Sequence, residues 1–155
     1  CSRLPPTLKT AKSAPNLEYT FAAAKDGDYH VQFHMSATTP VTFEPKQYIG
    51  YSVNGGAVQV VNTVHEENRP FFGSEQWYAE GFANVKLTEA MIPCHAGINT
   101  LRFYAVSPAI ILEKIVLWPD GTTCRNPTLA RGRVTAADAA KASIKPTTDK
   151  FEVLI

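Results

Sequence analysis

The sequence predicts an all-β domain, an antiparallel β-sandwich of jelly-roll type. Three observations favour this fold. Apolar and polar residues alternate within short segments, turns that contain Gly, Asn or Pro separate these segments, and the segments are regularly spaced. About seven or eight strands are therefore expected. The 155 residues are enough for one ordinary domain with its own core.

The clearest pair of strands lies between residues 97 and 121. Leu101 and Phe103 alternate with polar neighbours, which is typical of a half-buried strand. Ser107-Pro108 then interrupts the pattern, because proline cannot donate to a β-ladder, and a corner or crossover is expected there. Residues 110–117 form a denser apolar run, which predicts a strand through the core.

Two hairpins are predicted upstream. Residues 17–21 and 29–35 alternate strictly on either side of the turn sequence at 25–28. Residues 48–53 and 57–61 flank Asn54-Gly55, and Asn-Gly is a strong hairpin signal because both residues tolerate positive φ. A further short strand is expected at 84–88.

The apolar members of these alternating patterns are expected to form the core. They are Leu17, Tyr19, Phe21, Val31, Phe33, Tyr51, Val53, Val58, Val60, Val85, Leu87, Leu101, Phe103, Ile111, Ile115 and Leu117.

The two ends of the chain have weaker patterns. Residues 1–15 are rich in Pro, Thr, Ser and Lys and are interpreted as a linker or extended arm. The sandwich is assigned to residues 16–121. Residues 122–155 form a C-terminal extension, either docked on the sandwich or a disordered or partner-docking tail, with one short helix expected at 134–143 and a last strand or docked segment at 151–155.

Composition limits the function classes. The apolar content of 45%, the charged content of 19% and the formal charge of +1 are those of an ordinary globular protein without the basic surface of a nucleic-acid-binding domain. No apolar run approaches the roughly 18 residues of a membrane span. Neither a nucleic acid nor a membrane span is expected.

The segment 62–83 lacks any sustained two-residue period and is expected to be irregular or partly helical. Long excursions of this kind are often functional. Sugars are bound by aromatic rings beside planar polar side chains, and this mixture nominates a carbohydrate site at Asn68, Arg69, Phe72, Gln76, Trp77, Tyr78 and Trp118. Structural packing is the competing interpretation for Phe72, Trp77, Tyr78 and Trp118.

The cysteines and histidines leave alternatives open. Cys94 and Cys124 flank the two central strands and are either bridged or free thiols. His30 and His34 share a strand face and are interpreted as exposed surface residues, since no Cys/His spacing typical of zinc is present. No cofactor is expected; a structural calcium ion is a minor alternative.

Local catalytic signatures are missing from the sequence. Glu66-Glu67 is an acidic pair, but glycosidic chemistry needs two carboxyl groups that face each other across a cleft. Adjacent glutamates on a loop are more often simply solvated, so the domain is not expected to be an enzyme by itself.

Several segments resemble one glycosidase domain. IPCHAGINTLRFYAVSPAIILEKIVLWPDG at 92–121, APNLEYTF at 14–21 and GYSVNGGAVQVVN at 50–62 are similar to the C-terminal domain of glycoside hydrolase family 115, the α-glucuronidases of xylan breakdown. Ser107 and Ala109 depart from the family pattern, which usually has Asp and Gly there. The resemblance implies a β-sandwich in a larger enzyme whose catalysis belongs to preceding domains.

We therefore expect a non-catalytic carbohydrate-binding module for plant cell-wall polysaccharide, with xylan-type hemicellulose favoured, located outside the cytoplasm. Its partners would be a polysaccharide or oligosaccharide and the neighbouring catalytic domain. The alternative is a structural domain that packs on the catalytic domain or mediates dimerisation without binding sugar.

Overall fold

The computed structural model confirms the antiparallel β-sandwich. It describes residues 11–41 and 46–122 and the backbone of 151–154. Strands β1 to β8 span, in order, Asn16–Ala23, Gly27–Met35, Tyr48–Val53, Gln59–Asn62, Lys86–Cys94, Gly97–Tyr104, Leu112–Pro119 and Phe151–Leu154. They form two four-stranded antiparallel sheets with the orders β1-β6-β3-β4 and β5-β2-β7-β8.

The core lies between the two sheets and is rich in aromatic rings. Phe33 on β2 is fully buried and contacts Phe103 and Tyr51 of the opposite sheet, with ring centroids 5.4 and 5.8 Å apart. Val31 and Leu101, also fully buried, extend this layer. Burying each large apolar side chain stabilises the fold by about 1.5–3 kcal/mol. The apolar residues of the alternating pattern therefore hold the two sheets together.

The predicted crossover between the two central strands is confirmed. β6 lies in the first sheet and β7 in the second, and residues 105–111 connect them. Ser107 secures this connection because its hydroxyl accepts the N–H of Tyr48 at 2.8 Å and its own N–H donates to the Tyr48 carbonyl at 2.9 Å. A serine therefore makes the contact with β3 at a position where the resembled family has Asp.

The first predicted hairpin is wrong. β1 does not pair with β2; it pairs with β6 from Asn16 opposite Tyr104 to Ala23 opposite Gly97. β2 lies in the other sheet between β5 and β7. Residues 24–26 therefore connect two sheets, and a local turn signal cannot distinguish such a connection from a hairpin.

The second predicted hairpin is confirmed. β3 pairs with β4 from Tyr48 opposite Asn62 to Tyr51 opposite Gln59. Asn54 and Gly55 have φ of 49° and 72°, the left-handed values that the sequence Asn-Gly predicts for this turn.

Three predicted core residues are exposed instead. Leu17 and Leu87 are 49% and 42% exposed, and Ile111 is 53% exposed. Leu17 and Leu87 lie near the ends of the edge strands β1 and β5, and in β5 Lys86 and Thr88 are buried in place of Leu87. Ile111 precedes β7, which begins at Leu112.

The ends of the chain add to both sheets. Ala11 is fully buried against Val58 and Tyr104 on the outer side of the first sheet, so this part of the expected arm is packed. β8 pairs with β7, with Phe151 opposite Leu117. The predicted helix at 134–143 and Cys124 lie outside the described residues.

The expectation that His34 is exposed is wrong. Its side chain is only 4% exposed, and Nε2 lies 2.8 Å from Gln32 Oε1. Burial lowers the pKa of His34 to about 4, with Lys114 adding to the effect. Cys94 is a buried free thiol, and burial raises its pKa to about 11.

Ala109 has φ of 60°, and its Cβ is strained in this left-handed conformation by about 1–2 kcal/mol. We expect Ala109→Gly to raise the free energy of unfolding by about 0.5–1 kcal/mol, since the relief of strain exceeds the added flexibility of the unfolded chain. Urea unfolding measures the change. Ala105→Gly, at a residue without positive φ, should lower stability, and equal effects of the two changes would contradict the strain argument.

The neutral, buried His34 predicts acid sensitivity. Between pH 6.5 and about 4 the unfolded chain binds a proton at His34 that the folded chain does not. The free energy of unfolding should therefore decrease by up to about 3 kcal/mol as the pH is lowered through this range. His34→Gln should remove this part of the pH dependence in urea unfolding. His65→Gln, at a side chain that is 60% exposed, is the control. An unchanged acid slope in His34→Gln would contradict the burial argument.

Candidate binding surface

The segment between β4 and β5 is partly helical, as the sequence predicts. A 3₁₀ helix spans Glu66–Asn68 and an α-helix, α1, spans Glu75–Ala83. Ser74 caps the N-terminus of α1 by accepting the N–H of Trp77 at 3.2 Å. Asn84 closes the C-terminus in the left-handed conformation, with φ of 52°.

The polar side of α1 faces the protein interior. Glu80 is 9% exposed and lies 3.4 Å from the ammonium group of Lys86, which is fully buried. Lys86 Nζ also donates to Gln47 Oε1 at 2.7 Å and to the Thr38 carbonyl at 3.1 Å. We call Lys86, Glu80, Gln76 and Gln47 the buried polar cluster.

Gln76 connects α1 to the segment before it. Its amide nitrogen donates to the Thr63 carbonyl and to Glu80 Oε1, both at 2.7 Å, and its oxygen accepts the N–H of His65 at 3.1 Å. The side chain therefore satisfies three groups inside the protein. These contacts fix the rotation of α1 about its axis.

Burial shifts both charged members of the cluster towards their neutral forms. Loss of hydration raises the pKa of Glu80 and lowers that of Lys86, and the attraction between the two groups opposes both shifts. The ring of Phe71, fully buried, lies under the ammonium group at 5.1 Å. Hydrogen bonds, an ion pair and a cation–π contact together offset the cost of burying this lysine.

The opposite side of α1 exposes aromatic rings. Phe82 is 91% exposed and Tyr78 53%, and Phe72, in the turn before the helix, is 59% exposed. Trp77 is half-buried and packs edge-to-face against Tyr78 with ring centroids 4.9 Å apart. We call Phe72, Trp77, Tyr78 and Phe82 the aromatic face. Several exposed aromatic rings on one short segment indicate an interaction site.

The aromatic face lies at one end of the sandwich, where β2 ends and β5 begins, since Met35 is paired with Lys86. Val41 and Ile111, 64% and 53% exposed, belong to the loops of the same end. Exposed apolar side chains are therefore concentrated among these loops.

The predicted polar site residues are occupied by protein contacts. Asn68 Oδ1 accepts the N–H of Gln76 at 3.3 Å, and Arg69 Nη2 donates to Glu66 Oε1 at 2.8 Å. Gln76 belongs to the buried polar cluster. The structure thus brings the predicted residues of this segment together, but it separates the rings, which face solvent, from the amide groups, which face the interior.

Trp118 lies apart from the other predicted site residues. It stands at the C-terminal end of β7, the opposite end of the sandwich from α1, and is 7% exposed. Its ring stacks on the imidazole of His30 at 5.1 Å, and the two nitrogens of His30 contact Glu89 and Asp120 at 2.9 and 3.1 Å. Asp120, followed by Glu89, raises the pKa of His30. Trp118 is a packed ring here rather than an open stacking platform.

Phe82 is the site residue that sequence reasoning misses. It lies four residues after Tyr78, so the two share a helix face, but this spacing has meaning only once the segment is recognised as a helix. Within the described ranges, no three His, Cys, Asp or Glu side chains are placed to hold a metal ion. In the same residues, no helix is long and apolar enough to cross a membrane.

Comparison with known proteins gives a family match over residues 2–127, to the glycosyl hydrolase family 115 C-terminal domain. The chain belongs to this family. Comparison with curated proteins finds no significant match. The resemblance of the sequence to this family is therefore confirmed, and the chain is an accessory domain of the kind that carbohydrate-active enzymes carry.

A solved family 115 enzyme contains a region of similar fold. A family GH115 4-O-methyl-α-glucuronidase with specificity for decorated arabinogalactans is 19% identical, with a TM-score of 0.58 over 68% of this chain and 13% of that chain. The domain thus spans 13% of the length of that enzyme. Two looser matches are family 35 carbohydrate-binding modules. The module from Clostridium thermocellum is 20% identical, with a TM-score of 0.47 over 66% of this chain and 68% of that one. The module from an environmental isolate is 16% identical, with a TM-score of 0.48 over 74% of this chain and 73% of that one.

The buried polar cluster is testable in the family 115 domain. Lys86→Met should lower the free energy of unfolding by about 3 kcal/mol, because it leaves Glu80 without its cation. Lys86→Met with Glu80→Leu should recover most of that loss in the same urea titration. Glu66→Gln, which breaks the exposed pair with Arg69, is the control and should change little. A double variant as unstable as the single one would argue against a paired buried charge.

Proposed function

We propose that this domain is a non-catalytic accessory domain that docks through its aromatic face on the catalytic part of a family 115 glycoside hydrolase. The observation that supports it is the orientation of α1, whose Gln76 and Glu80 side chains are turned inward while Tyr78 and Phe82 are exposed, with Phe72 exposed just before the helix. Exposed aromatic clusters are characteristic of the centres of protein interfaces.

Sugar binding at the same face has weaker support. A sugar site needs planar polar groups beside the rings, and Asn68, Arg69 and Gln76 already bond to protein groups. Tyr78 and Phe82 also project from one side of a helix, whereas small-ligand sites are usually clefts. Protein docking requires neither hydroxyl-binding amides nor a cleft.

A neighbouring surface is to be expected in the parent protein. The similar glucuronidase is a much longer chain, of which the matched region is 13%. Contacts between domains of one chain commonly bury about 600–1,500 Å². A contact of this size would cover the ring of Phe82 and remove it from water.

The proposed function includes no catalysis by this domain. Glu66 and Glu67 are adjacent on the 3₁₀ helix, with side chains 78% and 75% exposed, and Glu66 is paired with Arg69. Glycosidic hydrolysis needs carboxyl groups about 5–10 Å apart on two sides of a bond. Two solvated neighbours do not meet that requirement.

Binding of plant cell-wall polysaccharide is the second candidate. Tyr78, supported edge-to-face by Trp77, offers a ring face for stacking on a pyranose. Xylan-type hemicellulose is the first glycan to test because of the family resemblance, and decorated arabinogalactan is the second because the similar enzyme acts on it. We also propose that the domain is located outside the cytoplasm, where such polysaccharides are found.

Docking is tested with the remaining part of the parent enzyme, expressed separately and immobilised on a biosensor. Phe82→Ala and Tyr78→Ala should each weaken binding at least tenfold, because removing one interface anchor typically costs more than about 1.4 kcal/mol. Ile98→Ala, at an exposed residue of the opposite end, is the matched control and should bind as the wild type does.

Affinity electrophoresis separates the two functions. The wild type should migrate alike in gels with glucuronoxylan, arabinoxylan, arabinogalactan and β-glucan. Retardation by one of these glycans, lost in Tyr78→Ala, together with no binding to the catalytic part, would replace docking by carbohydrate binding.

A further inference from the structure

The segment that carries the aromatic face is acidic. Residues 63–85 contain glutamates at 66, 67, 75 and 80, a single arginine at 69 and no lysine. The whole chain has a formal charge of +1, so negative charge is concentrated in this segment. Its position relative to the exposed rings determines what the surface can bind.

Three of these glutamates are exposed. Glu80 is inside and paired with Lys86, whereas Glu75 is exposed. Glu75 precedes Tyr78 by three residues and Phe82 by seven, which places all three on one face of α1.

Glu66 and Glu67 belong to the adjacent 3₁₀ helix, and both are largely exposed. This helix is held against the first turn of α1 by the hydrogen bond from the Gln76 N–H to Asn68 Oδ1. Arg69 is paired with Glu66, and Glu67 Oε1 lies 4.0 Å from His65 Nδ1, a contact that is an ion pair only when the imidazole is protonated. Glu75 therefore carries negative charge on the same helix face as Tyr78 and Phe82, and Glu67 adds negative charge on the 3₁₀ helix beside the first turn of α1.

We infer that the occupant of the aromatic face is a cationic protein surface, an apolar patch edged by Lys or Arg on the catalytic part of the same enzyme. This inference rests on the docking function proposed above. Complementary charge at the rim of an interface accelerates association and selects the partner, while buried aromatic anchors slow dissociation. The same negative edge repels glycans that bear uronic acids.

One biosensor experiment separates the role of the glutamates from the role of the aromatic rings. The Glu67→Lys/Glu75→Lys variant should associate with the catalytic part about tenfold more slowly at about 0.1 M salt, with a nearly unchanged dissociation rate. At about 1 M salt, where the Debye length falls from about 10 to about 3 Å, the difference should largely disappear. Phe82→Ala should instead accelerate dissociation at both salt concentrations.

The control is Asp28→Lys, at the start of β2 and thus at the opposite end of the sandwich, which should associate as the wild type does. Circular dichroism verifies that each variant is folded. Hydrogen exchange on the intact parent enzyme gives an independent reading: α1 should become less protected in the Glu67→Lys/Glu75→Lys variant and stay protected in Asp28→Lys.

Three results would overturn the inference. Wild-type association of the charge-reversed variant at low salt would show docking without a cationic partner, and the proposed function would survive. Stronger retardation of the wild type by glucuronoxylan than by neutral arabinoxylan would contradict the predicted repulsion. A dimer of this chain that Phe82→Ala dissociates would assign the face to a second copy. Failure of the proposed function is a different result, in which neither the ring variants nor the charge variants alter docking.

Discussion

The ammonium group of Lys86 is the constraint on which the arrangement of the loops depends. It is fully buried and bonds to oxygens from two separate segments, Thr38 and Gln47 before β3 and Glu80 on α1. A buried cation is tolerated only while such partners surround it. Each of these segments is therefore held at one end of the sandwich by the same group, and α1 cannot rotate without leaving that charge unpaired.

This constraint reverses the usual amphipathic arrangement of a surface helix. Most such helices bury their apolar side, but α1 buries Glu80, turns the partly buried Gln76 inward and exposes Phe82. The opposite end of the sandwich shows the ordinary solution, in which Trp118 is packed under His30. An apolar cluster that the domain does not cover itself is an aggregation liability, which a contact within a larger enzyme would remove.

The structure also explains how a member of the family tolerates departures from its pattern. Ser107 keeps a side-chain contact with β3 through the N–H of Tyr48. Ala109, by contrast, takes the left-handed conformation for which glycine is suited, and its carbonyl accepts hydrogen bonds from Thr38 and Gln47. The backbone conformation at this position is retained by its contacts with the neighbouring loop, even though the residue is unfavourable there.

The sequence by itself determined most strands, the second hairpin and the sandwich, because side-chain alternation and Asn-Gly turns are local properties of the chain. It also located the aromatic segment. Only the tertiary structure decided that β1 pairs with β6 and that Lys86 is buried while Leu87 is exposed. It also decided that Phe82 is exposed while the amide of Gln76 bonds to groups of the protein. The physical reason is that strand partners and the inward side of a helix depend on contacts between residues distant in the chain, above all on which segments supply oxygens to one buried ammonium group.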